Sequence, residues 1–493
     1  MTSRTPHDID ASAFRRLLDR AADVAAGYWD ELPSRRAFTR PPDDLVARLR
    51  AEPLPRSGRP PEEIIDRIAA EVATNPLGVG HPRWWGFVSA SAHPVGIAAD
   101  MIAATLNNHV IATSQLAIHI ELKVLEWLAE IVGLPAGSGG ILVSGGSMAN
   151  FVALAAAREA RVPGTRARGL LAHGRPLAMY ASAETHSCIP KAVDLLGIGR
   201  DSLRLIPVDE RLRMDVRALR ERIRADRAAD VQPLVIVASA GTVNTGAIDP
   251  MDAIADVAAE EDCWLHVDGA YGGFAGALPE LADAYRGIER ADSVAADPHK
   301  WLYIPYEAGA VLVRDPATLH AAFSARPAYL AVEDDSYLGG ALWFYDRGPQ
   351  LSRGFRALKI WATLQAVGLD GYRELWRNDM AVAREVERLA AAHPKLAVMA
   401  ETELSSFCIR YLPECGDADM FNRTLLDRTH RDGRVLLTPV ELNGAYGLRG
   451  CVVNFRSTLE DARICVDAVV ELGTQLEQEL RETQECCMAG RHP

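Results

Sequence analysis

Ile141-Leu142-Val143-Ser144-Gly145-Gly146-Ser147-Met148-Ala149-Asn150 is the stretch that decides the fold. A short apolar run stops at Val143, a serine-glycine turn follows, and the chain enters an apolar helical pattern over 149–160. Outward from it, short apolar runs recur at 178–181, 203–208, 234–238, 264–267, 293–295 and 309–313. Helical patterns at 216–225 and 251–259 separate several of them. Strands alternating with helices predict a mostly parallel sheet covered on both faces. Such sheets bind their ligands outside the carboxyl ends of the strands.

The residues just past each run are therefore the candidates for chemistry. The turn 144–150 offers glycines that allow close backbone approach, a hydroxyl from Ser147 and the free N–H groups of a helix start, which together suit a phosphate. It is neither a Gly-Lys-Ser/Thr loop nor a G-x-G-x-x-G turn, and alone it could equally be an ordinary capped turn. Glu184-Thr185-His186-Ser187 follows the second run, and Gly241-Thr242 the fourth. Asp268-Gly269-Ala270-Tyr271 follows the fifth and Asp297-Pro298-His299-Lys300-Trp301 the sixth. Singly, the histidine reads as structural, the aspartate as a turn former and the lysine as surface. Together they supply a phosphate cradle, an acid, a histidine and a lysine, the inventory that holds pyridoxal phosphate.

Either side of this region the patterns differ. Residues 11–30 read as an amphipathic helix with Phe14, Leu17, Leu18, Ala21, Ala25 and Tyr28 on one face. Prolines 33, 41, 42, 53 and 55 break the chain, and a second helical pattern spans 61–74. This arm is too small for its own core, so it must pack on something else, a second subunit included. A long helix is expected over 353–367, then a smaller α+β unit with helices at 380–392, 420–431 and 459–480 and strands at 406–411 and 448–455.

Composition closes several routes. The 493 residues carry 53 basic and 66 acidic side chains, a formal charge of −13, which argues against nucleic acid or an anionic membrane as main partner. No run of 18 apolar residues spans a bilayer, and residues 1–10 lack the apolar core of a secretory signal. Eight scattered cysteines match neither a metal site nor a disulfide framework and suit a reducing cytoplasm.

The order and wording of these motifs resemble the group II pyridoxal-phosphate-dependent decarboxylases, which include aromatic amino acid, histidine and glutamate decarboxylases. The resemblance extends upstream to His81-Pro82-Arg83-Trp84-Trp85-Gly86-Phe87 and downstream to Leu448-Arg449. It implies an α/β enzyme of fold type I, normally a cytoplasmic homodimer with active sites at the subunit interface. Expected are an N-terminal helical arm (1–80) packing on the partner, a large cofactor-binding domain with a mostly parallel sheet (81–370), and a small α+β domain (371–493). By resemblance Lys300 is the Schiff-base lysine and Asp268 the partner of the pyridine nitrogen. His186 stacks on the ring, Ala270 lies against its other face, and Thr242 stands near the ring substituents. Gly146, Ser147 and His299 meet the phosphate. Tyr329, in a mobile loop over 324–340, is the proton donor to Cα. Trp85, Phe87, His109 and Arg353 are candidate substrate-pocket residues, and no metal is implied.

The implied reaction is decarboxylation of an L-amino acid, or a conjugate of one, to its amine by way of an external aldimine and a quinonoid. An aldehyde-forming oxidative deaminase or a lyase would use the same cofactor residues, so both stay open, as does a scaffold that has lost activity. Retention of His186 and Tyr329 favours decarboxylation. The stretch 106–113, aromatic in aromatic decarboxylases, is polar or small here, which points toward a smaller, more polar or conjugated substrate.

Overall fold

The computed structural model of the chain describes residues 9–111, 115–325 and 342–489. The apolar runs become strands β1 (Gly139–Val143), β2 (Leu177–Ser182), β3 (Leu203–Ile206), β4 (Gln232–Ser239), β5 (Trp264–Asp268), β6 (Ser293–Ala296) and β7 (Gly309–Val313). They form one sheet in the order β1-β7-β6-β5-β4-β2-β3. Neighbours from β6 to β3 pair parallel. β7 pairs antiparallel with both β6 and β1, so β1 points the same way as the parallel strands. The carboxyl ends of β1, β2, β4, β5 and β6 therefore share one end of the sheet. Every residue of β2, β5, β6 and β7 is buried, as a sheet covered on both faces requires.

The third run stops at Ile206 because Pro207 has no N–H for a ladder. β7 begins flush against the glycine turn: a Cβ on Gly309 would lie 2.4 Å from Gly145 Cα, so glycine alone fits.

The N-terminal helix runs Ala11–Glu31, capped by Asp10, whose carboxylate accepts from Ala13 N–H at 2.7 Å. It buries no side chain within the single chain. The 61–74 pattern forms a helix over Pro61–Arg67 that widens into a π turn over Ile68–Val72. The proline-rich stretch between them still holds a short helix, Asp43–Ala51.

The long helix differs from expectation. It starts at Arg356 rather than 353, because the Arg353 carbonyl is taken by Val110 N–H at 2.9 Å. It breaks at Gly368, whose non-helical φ of 68° and ψ of 163° agree with the expected end at 367, and a second helix follows directly to Ala392. The second sheet is antiparallel, with β8 (Leu396–Ala400), β9 (Ser406–Tyr411), β10 (Thr438–Leu442) and β11 (Ala445–Cys451) in the order β10-β11-β9-β8. Helices Ala418–Asp432 and Leu459–Ala489 complete this unit. No described helix is long and apolar enough to cross a membrane.

Candidate active site

The loops after β1, β2, β4, β5 and β6 converge on a cleft of ≈ 460 Å³, the size of a small-molecule site. Gly146, Ser147, His186, Thr242, Asp268, Ala270, His299 and Lys300 all line it.

The glycine turn leads into the Gly146–Arg161 helix. Its first backbone bond runs from Ala149 N–H to Gly145 O at 2.9 Å, so the N–H groups of Gly146, Ser147 and Met148 have no carbonyl within the helix. A Cβ on Gly146 would lie 2.6 Å from Asp297 Oδ2 and 3.0 Å from the Ala270 Cβ. Glycine at that point is what lets the turn pack against Asp297 and Ala270.

Lys300 Nζ stands 3.1 Å from Asp297 Oδ2, and Asp297 is buried. Burial works against the ammonium, but Asp297 and then Asp268 outweigh it and hold the Lys300 pKa above its ordinary value. His299 accepts the Ala308 N–H on Nδ1 at 3.0 Å, so its own proton sits on Nε2, 3.6 Å from Asp297 Oδ2. His186 accepts the Cys188 N–H on Nδ1 at 3.2 Å and likewise carries its proton on Nε2. Burial lowers both imidazoles below their ordinary pKa, and the facing aspartates offset only part of that. Both are neutral donors at neutral pH. Asp268 ends β5, nearly buried, accepting the Ala270 N–H at 3.2 Å with the Cys188 thiol 3.9 Å away.

Beneath the turn lies a buried relay. Trp264 Nε1–H donates to Ser293 Oγ at 2.8 Å, and Ser293 Oγ–H to His266 Nδ1 at 2.8 Å. His266 Nε2–H donates to Asn150 Oδ1 at 2.7 Å, and Asn150 Nδ2–H to Gly146 O at 2.9 Å. Each donor meets one acceptor, which fixes the His266 tautomer and ties the turn to β5 and β6. Burial takes the His266 pKa down to about 4.

Three expected pocket residues stand elsewhere. Trp85 is fully buried in the core of the small sheet, edge-on to Phe407 at 5.8 Å, with Nε1–H donating to Ser457 Oγ. Its backbone is bonded to Leu436 and Cys451, which turns the indole away from the cleft. Arg353 is buried against Glu121 and donates to Leu142 O at 2.9 Å, so its guanidinium serves the core behind β1. His109 is exposed and holds Leu351 O at 3.0 Å. Phe87 does line the cleft, 54% exposed. Tyr329 and most of 324–340 lie outside the described residues.

Two further residues escaped the sequence reading. Asp297 was visible only as part of a motif, yet its position at the end of β6 was the signal that it faces the lysine. Arg449 is a buried guanidinium on the cleft wall. Its Nε donates to Asn244 O and its Nη1 to Gly86 O, while Nη2 has no hydrogen-bond partner.

The conserved domain of pyridoxal-dependent decarboxylases matches residues 42–412. The chain belongs to that family. This decarboxylase is 32% identical to the aromatic-L-amino-acid decarboxylase of Bacillus atrophaeus over 462 residues, 92% of this chain and 94% of that one. It is 31% identical to the histidine decarboxylase of Drosophila melanogaster, across 92% of this chain and 54% of that one. Among solved structures, tryptophan decarboxylase (TDC) of Oryza sativa with PLP and tryptamine superposes with a TM-score of 0.88 at 28% identity, covering 96% of this chain and all of that one. The chain is thus a carboxy-lyase of amino acids that uses pyridoxal phosphate. Its cleft fits that cofactor: a glycine turn with free N–H groups, a carboxylate at the end of β5, and a lysine amine between them.

Proposed function

We propose that the decarboxylase converts a free L-amino acid to its amine, with Lys300 carrying the cofactor as a Schiff base and Asp268 facing the pyridine nitrogen. One observation carries the reading: Lys300, in the turn after β6, and Asp268, at the end of the neighbouring β5, line one cleft, and Asp297 and Asp268 both act on the lysine charge. His186 and Ala270, both on the cleft wall, would flank the cofactor ring. Gly146, Ser147 and His299 would hold the phosphate, and Thr242 would stand near the ring substituents. When bound, pyridoxal phosphate supplies the electron sink for the bond pair that carbon dioxide leaves behind.

The chain's own groups do the rest. Asp297 keeps the Lys300 amine protonated, so the lysine must shed that proton before it can attack an aldehyde. Arg449, with Nη2 free of any hydrogen bond and two carbonyls fixing its plane, is suited to the substrate carboxylate. His186, a neutral donor with its proton on Nε2, can orient a water in the cleft.

The protein works as a homodimer in this reading. The Ala11–Glu31 helix is amphipathic yet has no fully buried side chain, and Ile97, Met101, Ile102 and Leu106 expose an apolar face on the Pro94–Leu106 helix. A second copy is the partner that would cover both. The cysteines described are free, which suits a cytoplasm.

The test is mass spectrometry of the loaded enzyme incubated in air with a panel of L-amino acids spanning aromatic, imidazole, acidic and small polar side chains. Amine and carbon dioxide without peroxide support the proposal. Aldehyde with ammonia and peroxide would overturn it in favour of the outcome named for a relative, the phenylacetaldehyde synthase of Petunia hybrida, 27% identical over 91% of this chain and 92% of that one.

A further inference from the structure

We propose that Asp379 is a positioning residue for Lys300: its carboxylate fixes Trp301 and Tyr303, and so sets where the lysine amine stands in the cleft. The inference rests on the assignment of Lys300 proposed above.

The segment that follows Lys300 has to be held from outside. Tyr303 has a φ of 54°, a left-handed conformation that a bulky residue adopts only where its surroundings impose it. Its N–H returns to Lys300 O at 3.1 Å, so the turn closes on the lysine itself. Trp301, Leu302 and Tyr303 are wholly buried.

One helix face supplies the hold. Tyr372, Trp376 and Asp379 follow at spacings of four and three, a single stripe of the Arg356–Ala392 helix beyond its break at Gly368. Tyr372 Oη–H donates to Leu302 O at 2.9 Å, and Trp376 Nε1–H to Trp301 O at 2.7 Å. Asp379 Oδ2 accepts twice, from Trp301 Nε1–H at 2.9 Å and Tyr303 Oη–H at 2.7 Å. The first two bonds are neutral and grip the backbone. Asp379 grips the side chains on either side of Leu302, through two bonds to one carboxyl oxygen. Trp301 also stacks on Tyr271, 5.1 Å between centroids, three residues past Asp268.

The same turns of helix belong to the small-sheet unit. Val382, Ala383 and Val386 are buried in its core, and Asn378 Nδ2–H donates to Ser457 O at 3.0 Å. A fully buried carboxyl is costly unless its bonds are used. Here Oδ2 is used twice, while Oδ1 has no hydrogen-bond partner, and the two bonds specify one geometry for the lysine segment and link it to the placement of the small sheet.

The test follows cofactor capture. Unloaded protein is mixed with pyridoxal phosphate, quenched with borohydride at intervals, and the fraction of Lys300 carrying the fixed pyridoxyl group is read by mass spectrometry. Thermal midpoints are measured alongside. Asp379→Ala is expected to slow capture at Lys300 by about tenfold, the equivalent of one hydrogen bond. Asp379→Asn keeps one acceptor oxygen and is expected to recover part of the rate. Asn378→Ala breaks the neighbouring bond to Ser457 and is expected to lower the midpoint without slowing capture. Wild-type capture in Asp379→Ala, or equal slowing in Asn378→Ala, overturns the proposal. If Asp379→Ala does not fold, Tyr303→Phe removes one of the two donors, and unchanged capture there overturns it. Lys300→Ala is run in parallel. An adduct on another lysine would sink the Lys300 assignment, whereas its absence together with normal capture in Asp379→Ala would sink only this inference.

Discussion

His266 Nε2–H meets Asn150 Oδ1 at 2.7 Å directly beneath the glycine turn, and Asn150 hands the connection on to Gly146 O. The turn is therefore held by the sheet and not by its own sequence alone. Asn150→Ala leaves the His266 donor buried and unpaired, a cost of about 1–3 kcal/mol. The variant is expected to unfold at a lower urea concentration and to release pyridoxal phosphate about tenfold more readily. Equilibrium dialysis of the loaded protein checks the second point, and wild-type retention would show that the relay does not reach the ligand.

The same histidine sets a pH dependence. Its ordinary pKa is 6.5, and in the fold burial takes it to about 4. Between those values the unfolded chain binds a proton that the folded chain refuses, so stability is lost as pH falls through that window, by about 3 kcal/mol in full. Asp379 has the opposite sign. Burial, against the Tyr303 and Trp301 donors, raises it from 3.8 to about 7. Its contribution is complete below 3.8 and is lost as pH rises through about 7. His266→Gln is expected to hold its urea midpoint better than the parent between pH 6.5 and 4, and parallel curves would refute the assignment.

Asp297 governs the lysine. Burial alone would lower the Lys300 pKa, and Asp297 is the largest of the charges that raise it. Asp297→Asn is expected to move the pH midpoint for cofactor capture downward, so that the amine attacks at a lower pH. Lys300→Ala is expected to abolish turnover. Stopped-flow absorbance across pH reads the first effect, and a midpoint that stays put or rises contradicts it.

Arg449 offers a test of substrate binding. Arg449→Gln keeps polarity at the wall but removes the charge facing the cleft. The expected result is a loss in kcat/KM of about tenfold to a hundredfold, as for one charge-assisted contact, with cofactor retention unchanged. Equal kinetics with equal cofactor content would assign the substrate carboxylate to another group.

Much of this was legible in the sequence. The strand ends carried their chemistry at the residues just after Val143, Ser182, Ser239, Val267 and Ala296, because a parallel sheet gathers those ends whatever its strand order. The order itself was not legible. Nothing in 309–313 distinguishes a reversed strand from a parallel one. β10 stayed hidden because Pro439 breaks the strand pattern, and such a proline is tolerated where the strand lies at a sheet edge. Trp85 and Arg353 misled because a motif places a residue along the chain without saying which way its side chain turns. Asp379 had no local signal, since its partners lie 76 and 78 residues away.

β7 runs between β1 and β6 and begins against Gly145. The glycine turn thus hangs from the outermost strand while the lysine hangs from the second strand inward from it. A molecule held by both acts as a rivet across an intervening strand, pinning the rim of the sheet to its middle. Rims ordinarily fray first. Deuterium uptake at the amides of Gly139–Val143 is therefore expected to fall when the cleft is filled, more than uptake at β4. In a cell starved of the vitamin, breakdown of this protein would begin at that rim.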